Sequence, residues 1–131
     1  MNQTGVAPIS DDELVARFVV FSRWVRANGT VKPDAFLPPP DLHLSVTRHA
    51  SLSTEELWSR GQRVARQRGL TLHGRADLMV GRIVEADLSI EPAAIEGNPE
   101  HAHVVGWPRE KSAQKSLAQR IAAGSRFHGP I

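Results

Sequence analysis

The chain has 131 residues, 40% of them hydrophobic and 23% charged, with 16 Lys and Arg against 14 Asp and Glu, six His and no Cys. That length suits one core of ordinary size and disfavours two independently folding units. Zero cysteines exclude disulfides, cysteine-ligated zinc or iron–sulfur centres and thiol nucleophiles, and lean toward a cytoplasmic setting.

No apolar run approaches the roughly 20 residues of a membrane helix, and the start MNQTGVAPISDDE lacks a basic-then-apolar leader pattern. A soluble, unexported chain with no membrane partner is therefore expected. A formal net charge of +2 is small for a dedicated nucleic-acid binder, so nucleic acid is not the favoured partner. The charge is nevertheless segregated. Arg60, Arg63, Arg66, Arg68 and Arg75 occur without an intervening acid, and the stretch from Ala76 to Glu100 is acidic apart from Arg82.

Residues 1–12 show no periodicity and read as a flexible arm, with a single domain over 13–131. The run from Glu13 to Val25, ELVARFVVFSRWV, reads as a central strand, apolar on both faces for part of its length. Asn28-Gly29 is a turn signal, and Val31 to Leu37 is expected to return as the second strand of a hairpin. Pro38-Pro39-Pro40 then forbids regular pairing. In Asp41 to His49, Leu42, Leu44 and Val46 alternate with Asp41, His43, Ser45, Thr47 and His49, which predicts a strand with one dry and one polar side.

Ser53 as N-cap, Glu56 three residues on and Gly69 as a stop delimit a helix over about 53–68. Leu57, Trp58, Gly61, Val64 and Ala65 form its inner arc, with Arg60, Arg63 and Arg66 outside. Leu70 to His73 reads as a strand. Arg75 to Val84 fits a strand with a glycine bulge as well as a short helix. Leu88 to Ile90 reads as a short strand ending at Pro92, and His101 to Trp107 as a buried strand with His101 and His103 on one face. Pro108 opens a terminal helix to about 123, in which Ala113, Leu117 and Ile121 lie four apart. The expected fold is α+β: one mostly antiparallel sheet of about five or six strands, with both helices on one face.

Nucleotide-loop, dinucleotide, zincin, hydrolase-elbow and calcium-loop signatures are absent. What remains is histidine placement. If the two histidine-bearing strands pair, His43, His49, His101 and His103 gather on one surface, where imidazole suits proton transfer or metal ligation. A pair of them could cleave or ligate a phosphodiester, with Arg48 or Thr47 holding the phosphate. Alternatively, His101 and His103 with His49, His43 or Asp41 could hold zinc or another divalent ion, although no metal or other cofactor is the primary expectation. Ser45 or Thr47 could act as a nucleophile with a His base. The plain structural alternative ties each imidazole to a backbone carbonyl in the core.

His43-Leu-Ser45-Val46 resembles the H-x-[ST]-hydrophobic element of the 2H phosphoesterases, whose fold carries two such elements on facing strands; here His101-Ala-His103-Val104 has His where the second element has Ser or Thr. The order LSVTRH, HGRAD and NPEHAHVVGWPREK also resembles a family of small uncharacterised bacterial proteins, and that likeness implies no activity, ligand or catalytic residue. The leading expectation is an accessory domain that works with a protein partner through the Arg60/Arg63/Arg66 face or a strand edge. The alternative is a small histidine-dependent enzyme acting on a phosphate-containing ligand, nucleotide or RNA, through His43, His49, His101 and His103 with Arg48.

Overall fold

The computed structural model describes residues 9–130. Six strands form one sheet in the order β4-β5-β2-β1-β3-β6, every neighbouring pair antiparallel: β1 (Leu14–Val19), β2 (Leu44–Arg48), β3 (Gly74–Met79), β4 (Ser89–Pro92), β5 (His101–Val105) and β6 (Arg126–His128). Three helices accompany them: α1 (Thr54–Gln67), the short α2 (Val80–Glu85) and α3 (Lys111–Ala123). The fold is α+β, and its buried apolar residues form one cluster.

Helix α1 begins where the sequence says. Ser53 Oγ accepts from the Glu56 amide, and the Glu56 carboxylate accepts from the Ser53 amide, so two otherwise orphaned donors are satisfied reciprocally. Its inner residues Leu57, Trp58, Gly61 and Ala65 are buried. Gly61 permits close approach to the sheet: a Cβ there would stand 2.8 Å from two carbons of the Phe18 ring.

Strands β2 and β3 flank β1 antiparallel, so they run parallel to each other and α1 is the crossover between them. By the same reasoning β5 and β6 run parallel, with α3 as their crossover. Both crossovers move across the sheet in the same direction from oppositely directed strands. Right-handed connections then require opposite faces, so the two long helices sandwich the sheet instead of sharing one face. Contacts agree with this placement. α1 lies against Phe18, and its Trp58 faces Arg75, the register partner of Phe18, whereas α3 packs with the 3-10 turn Pro33–Phe36, to which Arg17, on the other side of β1, is bonded.

Three further expectations change. The Glu13–Val25 strand stops at Val19, and Ser22–Trp24 is a 3-10 turn. The expected hairpin reduces to a single bridge, Val25 to Val31, because Pro33, which has no N–H to donate, opens a second 3-10 turn at Pro33–Phe36. The 75–84 stretch is both of its alternatives in succession, strand to Met79 and helix from Val80, while pairing begins only at Gly74 and not in Leu70–His73. Of the expected arm, residues 1–8 lie outside the described residues. Residues 9–12 are fastened: Ile9 packs on the core and the Asp11 carbonyl accepts from the Gly81 amide at 2.7 Å. No helix among the described residues is long and apolar enough to cross a membrane.

Candidate active site

Strand alternation puts His43, Ser45 and Thr47 on one face, and the β2–β5 register sets Ser45 opposite His103 and Thr47 opposite His101. Directly opposed residues of an antiparallel pair share a face, so the two histidine strands are neighbours with their imidazoles on the same side. The rings form a row. His43 and His103 stand 5.0 Å apart between ring centres, and His103 and His101 stand 4.9 Å apart. His43 is exposed, His103 partly so, and His101 is buried at 9% exposure.

His43 is aimed by the loop before it. Leu42 adopts a positive φ of 62°, its amide donates to the Pro39 carbonyl, and the His43 amide donates to Asp41 Oδ1 at 3.0 Å. A branched residue in that region stores strain of order 1–3 kcal/mol. His101 is oriented differently: its Nδ1 donates to the Ala93 carbonyl at 2.8 Å. A carbonyl only accepts, so Nδ1 carries the proton, and in the neutral ring Nε2 is left with its lone pair. The pKa of His103 is lowered, first by burial and then by the charges of His101 and His43, against the opposite pull of Asp41 and Glu91.

The row borders a cleft of about 440 Å³ between the sheet and the C-terminal half of α1. His43, Ser45, Thr47 and His101 line it, with Gln67 and Arg68 from α1, Arg17 from β1 and apolar walls that include Phe18, Leu37, Val64 and Ile95. Among the described residues no carboxylate lines it. Thr47 Oγ1 accepts from Asn98 Nδ2 at 2.9 Å, which fixes the hydroxyl, while Asn98 Oδ1 is buried without a partner among the described residues. Among the described residues no group of three or more His, Asp or Glu is arranged to hold a metal ion.

Other expected site residues go elsewhere. His49 lies on the same face but six positions along the strand from His43, roughly 20 Å at the rise of an extended chain. Its Nε2 meets Asp77 Oδ1 at 2.9 Å, and Asp77 also binds Arg75 and lies 3.4 Å from His128. Arg48 shares the parity of Leu44 and Val46, so it faces away from the histidines, and it is held by Glu13 at 2.7 and 2.8 Å with only 2% exposure. Of the outer helix arginines, Arg60 pairs with Glu100 at 3.0 Å. The Arg63 guanidinium lies against Gly97, where a Cβ would overlap it, and Arg66 is exposed. The residue missed by sequence reading is Arg17. Its signal was present: a guanidinium inside a strand otherwise apolar on both faces.

Fold and site together define a small α+β domain with a histidine-lined cleft. No protein-family model, curated protein or solved structure matches the chain.

Proposed function

We propose that the protein is a small histidine-dependent enzyme that transfers or hydrolyses a phosphate ester by acid–base catalysis in the cleft. The observation that carries this reading is the row of three imidazoles on paired strands, its two outer members lining one open cavity. His101 is the base, because its tautomer leaves Nε2 free. It takes the proton of the attacking hydroxyl or water as that oxygen bonds to phosphorus. Protonated His43, at the open end, delivers its proton to the leaving oxygen as the old P–O bond breaks, and exchange with water resets both rings. His103, whose pKa is lowered by burial and then by the charges of His101 and His43, separates the two. The 2H-like His43-Leu-Ser45-Val46 element agrees with this assignment.

The cleft is favoured over the basic helix face as the working surface, since Arg60 is already paired with Glu100 and the Arg63 guanidinium lies against Gly97. The test is turnover of linear and cyclic nucleotide phosphodiesters and a short oligoribonucleotide, followed by ³¹P NMR. Wild-type protein is expected to convert at least one of them. His43→Gln and His101→Gln should each lose at least about 10²-fold per folded molecule, the usual worth of a general acid or base, with folding checked by circular dichroism. Absence of turnover across the panel, or unimpaired variants, would remove the proposal.

A further inference from the structure

Strands β1 and β2 pair only through Val15–Arg48 and Ala16–Thr47. Beyond that point they part, and Arg17, the next residue of β1, fills the gap. Its Nε donates to the Ala35 carbonyl at 2.7 Å and its Nη1 to the Ser45 carbonyl at 3.1 Å, with the Trp24 ring 5.3 Å from the guanidinium carbon. These partners hold the group in place and leave its positive charge uncompensated. Arg48, Arg60 and Arg75, the other arginines drawn into the molecule, each have a carboxylate: Glu13, Glu100 and Asp77. Arg17 has no carboxylate partner among the described residues.

A half-buried guanidinium with no counter-charge is a ready partner for an anion. Only two of its five N–H donors have acceptors among the described residues. The group lines the cleft, and the second cation there, Arg68, repels it. Burial first, and then Arg68, lower its pKa to about 10, so Arg17 remains charged at neutral pH. Two cations and no carboxylate in a cavity that also has apolar walls describe a receptor for an organic anion.

We propose that Arg17, backed by Arg68, is the seat of the substrate's phosphoryl group, placing it beside Ser45 and Thr47 within reach of His43 and His101. The inference deepens the enzymatic reading and rests on it for the identity of the anion as a phosphate ester. A planar guanidinium offers a phosphate two parallel N–H donors, which fixes the orientation of the group as well as its position. The apolar walls formed by Phe18, Leu37, Val64 and Ile95 receive the organic remainder. The ligand class is therefore a phosphate ester with a flat or apolar body, and inorganic phosphate is its minimal fragment.

The test is binding of inorganic phosphate, and of a nucleoside monophosphate, by calorimetry and amide chemical-shift mapping. Wild-type protein should bind both, with shifts centred on Arg17, Ser45 and Thr47 and affinity falling as sodium chloride is raised. Arg17→Met should weaken binding at least 10-fold and Arg17→Lys less. Arg68→Gln, an exposed change that disturbs no bond described above, should weaken it several-fold and serves as the readout if Arg17→Met does not fold. Retained phosphate affinity in both Arg17→Met and Arg68→Gln overturns the assignment, as does phosphate binding mapped outside the cleft or none at all. Because His101→Gln should leave phosphate affinity within a few-fold of wild type, the two readings fail separately: Arg17-dependent binding without turnover overturns the enzyme, and His101-dependent turnover with Arg17-independent binding overturns the seat.

Discussion

Replacing Asp77 by Asn separates the histidines that hold the fold from those assigned to chemistry. The Asp77 carboxylate, 7% exposed, accepts from Arg75 Nε with both oxygens at 3.1 and 3.2 Å and meets His49 at 2.9 Å. Removing one member of a fully desolvated ion pair costs about 3–5 kcal/mol. The amide keeps one acceptor oxygen, and Trp58, 5.3 Å from the Arg75 guanidinium carbon, supplies a cation–π contact of about 0.5–2 kcal/mol. The expected loss is therefore about 2–3 kcal/mol at neutral pH. In a domain of this size that is a fall of roughly 10 °C in Tm.

The pH dependence has a definite sign. Burial raises the Asp77 pKa, but hydrogen bonding and charge from His49 and the charge and hydrogen bond of Arg75 outweigh it, and the net shift is downward. A carboxyl held below its unfolded value of about 3.9 stabilises the fold above that pH and loses its contribution as pH falls through the folded pKa. Urea denaturation of wild type and Asp77→Asn should show the full difference between pH 6 and 8 and a shrinking one below about pH 4. Turnover per folded molecule should be preserved, because Asp77, His49, Arg75 and His128 do not line the cleft. A difference under 0.5 kcal/mol at pH 7, or loss of turnover in fully folded protein, would refute the division.

Other perturbations probe the frame around the site. Ser53→Ala removes the side-chain half of the α1 capping box and should cost about 1 kcal/mol by thermal denaturation. Gly61→Val drives a side chain into the Phe18 ring and should destabilise by about 1–3 kcal/mol through overpacking; an unchanged Tm would show that α1 can lift away. The pKa of His103 is lowered on folding, so the unfolded chain binds the proton more readily and stability falls as pH drops below about 6.5. His103→Gln should flatten that part of the stability–pH curve, and an unaltered slope would assign it to another group.

Local features of the fold were legible because their signals are local. The Ser53/Glu56 box and the Leu44/Val46 alternation each need only neighbours in sequence. The same alternation already assigned Arg48 to the dry face with Leu44 and Val46, so its use as a phosphate ligand conflicted with the strand's own parity. Pairing of β2 with β5 joins residues more than fifty positions apart and depends on register, which no local pattern specifies; hence the convergence of His43, His101 and His103 required coordinates. His49 illustrates the limit of face assignment: it lies on the correct side of the sheet and at the wrong end of the strand, where Asp77 claims it. Arg17 was hidden because a strand apolar on both faces reads as core, and its charge becomes meaningful only where β1 and β2 part.

The central claim is that His43 and His101 work as one acid–base unit, and a double-mutant cycle in kcat/KM on a phosphodiester that the wild-type protein turns over tests it most directly. Groups acting together in one transition state are strongly non-additive when removed. The account predicts that His43→Gln/His101→Gln loses about as much activity as the worse single variant, with all four proteins equally folded. Losses that multiply, or a single variant as active as wild type, would contradict it.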